Sequence, residues 1–122
     1  MQLTVYHLIA PVDKPYVGYE LLQALLTAGL RYGKHAIFHR HEQDNGQGEI
    51  VFSVAQATEP GIFNMDDMGA LSCQGLTFFL QSYEGDPNFS QSHALLLETI
   101  KDLADDLGGN VHKAESPVAT AA

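Results

Sequence analysis

The chain has 122 residues, with Lys+Arg 6 against Asp+Glu 15, a formal net charge of -9, 45% hydrophobic and 17% charged residues. That length supports one compact core and argues against two domains, and the mixture is globular, not disordered. The acidic balance excludes nucleic acid and anionic membrane as natural direct partners, because both require a basic footprint.

The run Leu3-Thr4-Val5-Tyr6-His7-Leu8 is β-branched and aromatic and predicts a first strand, with Pro11 and Pro15 in the loop after it. From Tyr19 the period becomes helical. Leu21, Leu22, Leu25 and Leu26 share a face, Glu20 suits the positive end of the helix, and Gly29 is a natural left-handed terminator. His35 to His41 and Glu49 to Ala57 alternate, and the Asn45-Gly46 turn between them predicts a hairpin closed off by Pro60-Gly61. Asn64 to Leu71 predicts a short helix, and Leu76 to Ser82 a strand. After the Gly85-Asp86-Pro87 turn, Leu96, Ile100, Leu103 and Leu107 form one apolar stripe, flanked by Leu97 and Ala104 and stopped by Gly108-Gly109. Asn110-Val111-His112 predicts a short edge strand, and residues 113–122 a flexible tail. This order implies a single α+β domain over residues 1–112, with helices on one face of a largely antiparallel sheet and the other face open.

Side chains alternate across a strand, so each strand divides by parity. Tyr6, Leu8, Phe38, Phe52, Val54, Leu76, Phe78 and Leu80 belong beneath the two helices. Leu3, Val5, His7, His35, Ile37, His39, Val51, Ser53, Ala55, Ala57, Thr77, Phe79 and Gln81 fall on the other side. No third long helix remains to cover that second set. Its apolar members, beside small Ala55 and Ala57, suit an inserted partner side chain. They equally suit an ordinary open sheet, since much protein surface is apolar.

Candidate chemistry is sparse. His35, His39 and His41 share parity, so a histidine metal site is geometrically possible, yet no carboxylate or thiol of fixed spacing completes it. Cys73 stands alone, which precludes an internal disulfide, and no CxxC or Cys/His cluster suggests zinc. It also has no obvious activating base and reads as a buried or loop thiol. Asp66-Asp67 and Asp105-Asp106 are sequence neighbours that diverge on a helix, hence solvated charge. GxSxG, P-loop and GxGxxG patterns are absent. The expectation is no enzyme, no cofactor and no metal. No stretch approaches the roughly 18 apolar residues of a membrane span, and the first residues lack the layout of a secretory leader, so a soluble, cytoplasmic domain is expected.

The segments Gly18-Tyr19-Glu20-Leu21-Leu22-Gln23-Ala24-Leu25-Leu26-Thr27-Ala28-Gly29-Leu30, Ile37-Phe38-His39-Arg40-His41 and Phe52-Ser53-Val54-Ala55 resemble the C-terminal FtsZ-binding domain of the bacterial division protein ZipA. So do Pro60-Gly61-Ile62-Phe63, Gly75-Leu76-Thr77-Phe78-Phe79-Leu80-Gln81 and Leu103-Ala104-Asp105-Asp106-Leu107-Gly108-Gly109. The likeness is collinear from about Leu3 to Val111. It implies a split β-α-β fold whose open face holds the C-terminal tail of FtsZ, with peptide contacts at Leu3, Val5, His35, Ile37, Ala55, Ala57, Thr77 and Phe79. It also implies a non-enzymatic, monomeric adaptor on the cytoplasmic side of the inner membrane that does not itself touch lipid. Intact members carry an N-terminal membrane helix and a Pro/Gln-rich linker; neither is among these residues, so the chain reads as an isolated domain or a truncated piece of a longer protein. His35 and Ala57 stand where the family commonly has methionines, and Glu59 where it has a lysine, so salt should affect binding weakly. Two alternatives stay open: an open face that self-associates or docks another protein, and a small-molecule carrier or enzyme using His35, His39 and His41.

Overall fold

The computed structural model describes residues 2–58 and 61–114. Its strands are β1 (Gln2–Ile9), β2 (Tyr16–Val17), β3 (Leu30–Tyr32), β4 (Phe38–His41), β5 (Ile50–Gln56), β6 (Ser72–Cys73), β7 (Gly75–Ser82) and β8 (Asn110–Lys113). Its helices are α1 (Gly18–Thr27) and α2 (Phe89–Leu107). A six-stranded sheet runs in the order β3-β4-β5-β7-β1-β8, and β2 pairs with β6 beside it. Every pairing is antiparallel. Because β7 and β8 both oppose β1, they are parallel to each other with β1 between them, and α2 joins them. This is a split β-α-β unit. β1 and β5 likewise flank β7 and run parallel to each other, with α1 and then the β3–β4 hairpin between them in the chain. The α+β class expected from the sequence is the observed one.

The parity division places the core correctly. Phe38 lies opposite Val54, Val54 opposite Phe78, and Phe78 opposite Tyr6, forming a row across four strands. All eight residues assigned beneath the helices are buried there. Onto them α1 lays Leu21, Ala24 and Leu25, and α2 lays Leu96, Ile100, Leu103 and Leu107. Leu97 falls off the stripe and is 40% exposed. At the end of α1, Gly29 takes the left-handed conformation (φ 92°) and its N–H donates to Leu26 O at 3.1 Å. The end of α2 is stricter. Gly109 has φ 115°, and a Cβ on it would collide with the Tyr16 hydroxyl and the Ile9 carbonyl.

Besides adding the short β2–β6 pair, which the sequence did not suggest, the structure departs from expectation in four places. Leu30–Tyr32 is a strand, β3, paired with β4 from Leu30↔Arg40 to Tyr32↔Phe38. Three residues are too few for a period to show. Consequently His35 is not on a strand: Lys34–Ala36 is a 3-10 turn that closes the β3–β4 hairpin, and β4 begins only at Phe38. The helix expected over Asn64 to Leu71 is a 3-10 segment, Met65–Ala70, kinked at Asp67, with the Asn64 side chain accepting from Asp66 N–H at 3.1 Å. Finally, Lys113 belongs to β8 and Ala114 N–H donates to Val5 O at 2.9 Å, so the expected tail does not start at 113. Glu59, Pro60 and residues 115–122 lie outside the described residues.

Candidate functional site

Both long helices sheathe the same side of the sheet, which leaves the other side to be described row by row. Cross-strand partners share a face, so register identifies each row. One row holds His39, Ser53, Phe79 and Val5 on successive strands β4, β5, β7 and β1. The next holds Ala55, Thr77, His7 and His112. Beyond Phe79 toward the strand ends, Leu3 lies opposite Gln81. Ala57, just past β5, hydrogen-bonds through its N–H to Gly75 O at 2.9 Å.

At one corner this face is concave. A groove of about 450 Å³ is lined by Lys34, His35, Ile37, His39, Ile50, Val51, Phe52, Ser53, Phe79 and Gln81. Ile37 is almost fully enclosed, 7% exposed, yet stands outside the main core to which the lining Phe52 belongs. Phe79 and Val51, half-buried, add the other apolar walls, and Lys34, His35 and Gln81 supply an exposed polar rim. Of the residues expected to contact a peptide, His35, Ile37 and Phe79 line this groove. Leu3, Val5, Ala55 and Thr77 continue the same face beside it, all half-buried, and Ala57 is exposed at its margin. Val51, Ser53, His39 and Gln81 were legible from strand parity as members of this face. Lys34 was not, because it stands on a turn that the alternation of His35 to His41 concealed.

The histidines are engaged structurally. His39, expected to meet water, is 4% exposed, because the Lys34–Ala36 turn folds over it. Its Nε2 lies 2.8 Å from Lys34 O and its Nδ1 2.6 Å from Ser53 Oγ. His41 Nδ1 donates to Gly48 O at 2.9 Å, and His7 Nδ1 lies 2.9 Å from Thr77 Oγ1. Among the described residues no group of three His, Cys, Asp or Glu side chains is placed to hold a metal.

Cys73 is buried away from the groove, donating to Gly75 O at 2.9 Å, and burial pushes its thiol pKa up. An undissociated thiol is a poor nucleophile. Nearby, Tyr16 donates to Gly108 O at 2.6 Å; its hydroxyl is pushed up to about 12 by burial first and by Cys73 second. Asp66, Asp67, Asp105 and Asp106 are exposed, and Asp105 pairs with Lys101 at 3.1 Å across one helical turn. A second, larger cleft of about 640 Å³ lies where α2 begins over the ends of β5 and β7, its lining including Glu42, Glu49 and Asp86. No described helix is long and apolar enough to cross a membrane.

An antiparallel sheet clad by helices on one side, with an apolar, polar-rimmed groove on the other, has the architecture of an α+β binding module. Comparison with known proteins is specific. The family described as "ZipA, C-terminal FtsZ-binding domain" matches residues 2–122, and the chain belongs to it. Among relatives called cell division protein ZipA, that of Shewanella loihica is 43% identical over 111 residues, covering 88% of this chain and 32% of the relative. That of Ectopseudomonas mendocina is 38% identical over 120 residues, 98% of this chain and 44% of the relative. That of Vibrio vulnificus is 41% identical over 114 residues, 91% and 35% respectively. The chain thus spans less than half the length of these relatives.

Proposed function

We propose that this domain is a non-enzymatic adaptor of bacterial cell division that binds the C-terminal tail of FtsZ on its open sheet face. In this reading the tail lays apolar side chains into the groove over Ile37 and Phe79 and spreads along Leu3, Val5, Ala55, Ala57 and Thr77. The parent protein thereby tethers the division ring to the cytoplasmic side of the inner membrane, and the domain works as a monomer without touching lipid or nucleic acid. The observation that carries the proposal is the apolar groove on the one sheet face the helices leave bare, in a chain of the ZipA FtsZ-binding family. A net charge of -9 supports a protein partner over a polyanion.

A short peptide on a shallow face buries little area, and ordering it costs several kcal/mol. The expected dissociation constant is on the order of micromolar, about −8 kcal/mol. Titrating the FtsZ tail peptide of the source organism into the isotope-labelled domain checks this. Saturable amide shifts should cluster on β4, β5 and β7 around Ile37, Ser53 and Phe79. Shifts confined to the α2 side, or none at millimolar peptide, would sink the reading. Sedimentation of the domain alone should show no concentration-dependent dimer; a dimer that is lost on Phe79→Ala would favour self-association through the open face.

A further inference from the structure

The turn that walls one side of the groove holds a conformation its residues resist. Gly33 N–H donates to Ile37 O at 3.0 Å and Ala36 N–H to Gly33 O at 3.2 Å, closing the β3–β4 hairpin. Between them His35 (φ 64°) and Ala36 (φ 57°) are both left-handed, although neither is glycine. In that region Cβ crowds the following carbonyl, so two successive side-chain-bearing residues adopt it only where their surroundings over-determine it. Two clamps do so here. On the outer side, Phe63 N–H donates to Ala36 O at 2.8 Å. On the groove side stands His39. The Lys34 carbonyl can only accept, so Nε2 carries the proton and donates at 2.8 Å, and in the neutral ring Nδ1 accepts from the Ser53 hydroxyl at 2.6 Å. His39 itself is 4% exposed; its bond to Ser53 is buried and its bond to Lys34 O partly so, and a buried group that loses its partner costs free energy.

We propose that His39 is a positioning residue of the groove, its imidazole tying Ser53 on β5 to the Lys34 carbonyl and so holding the Lys34-His35-Ala36 turn as a preformed wall over Ile37. This deepens the peptide-binding reading and rests on it. A preformed wall spares the incoming peptide the cost of ordering the turn, so its loss should act mainly on how long the complex lasts.

The test uses the 122-residue chain with His39→Leu, His39→Gln and Ser53→Ala, read in two ways. In the free domain, amide relaxation and the backbone couplings of His35 and Ala36 report whether the turn keeps its left-handed conformation. With the FtsZ tail peptide as probe, affinity reports the groove. In His39→Leu the turn amides should broaden and lose the left-handed couplings while core methyl shifts under α2 stay native, and the peptide dissociation constant should rise about tenfold, the order expected when the hydrogen bond that holds the turn is lost. Gln, whose side-chain amide can still donate to Lys34 O, should recover most of both, and Ser53→Ala should fall between. A turn unchanged in His39→Leu overturns the proposal. If that variant does not fold, a turn as rigid in Ser53→Ala and His39→Gln as in the native chain overturns it equally. Failure of the native domain to bind peptide would instead sink the peptide reading, with the turn measurement still deciding the role of His39.

Discussion

Phe78 and Phe79 are consecutive on β7, yet one lies in the core beneath α2 and the other lines the open groove. Strand geometry alone enforces this separation, because successive side chains leave opposite faces. Phe78→Ala should destabilise the domain by about 3–5 kcal/mol, since it deletes a fully buried aromatic and leaves a cavity. Phe79→Ala should cost much less stability but weaken the FtsZ tail peptide by about 2 kcal/mol or more, as expected of an aromatic anchor. Chemical denaturation and peptide titration of the two variants check the pair together. Inverted outcomes would mean that the faces are exchanged; a silent Phe79→Ala would put peptide docking elsewhere. His35 teaches the opposite lesson at this scale. Its parity with His39 and His41 suggested a strand, but its backbone is left-handed and the strand starts three residues later.

At the level of elements, the joint between α2 and β8 is the most constrained connection. Gly108 and Gly109 stop the helix, and the chain must turn at once to bring β8 alongside β1. At Gly109 a positive φ coincides with contact against Tyr16 and Ile9, so Gly109→Ala meets both backbone strain and a steric clash. A loss of about 2 kcal/mol or more is expected, read as a lowered melting temperature, whereas Gly85→Ala, with open space around its Cβ position, should cost only its own backbone strain. The element pattern was well read from sequence wherever an element was long enough to repeat. The stripe of α2 and the alternation of β5 and β7 span several periods. β2, β3 and β6 span one or less, and only their partners make them strands.

For the molecule as a whole, the β2–β6 pair closes one end of the core through Tyr16 and Cys73, and this has a consequence for stability at high pH. Both groups are neutral when protonated, and burial raises both in the folded state. The unfolded chain therefore releases these protons first, so the stability they contribute is intact below their ordinary pKa values and lost as pH rises through the folded ones. For Tyr16 that window runs from 10.0 to about 12. Melting temperature should fall across it, and Tyr16→Phe, although less stable at neutral pH for want of the bond to Gly108, should show a shallower fall. An identical slope in the variant would show that Tyr16 does not govern the transition.

Within the sequence itself lay the α+β class, the two helices and their buried stripes, and the division of each long strand into a core face and an open face. These follow from periodicity, and period is a local property that a chain carries without reference to its partners. The face bearing Leu3, Val5, Ile37, Ala55, Thr77 and Phe79 was legible for the same reason. Its shape was not. The groove exists because a turn invisible to periodicity, Lys34–Ala36, folds over His39 and is pinned there by residues distant in sequence, Ser53 and Phe63. Which part of an open face becomes concave depends on where such long-range hydrogen bonds close, and only the tertiary structure brings those partners together.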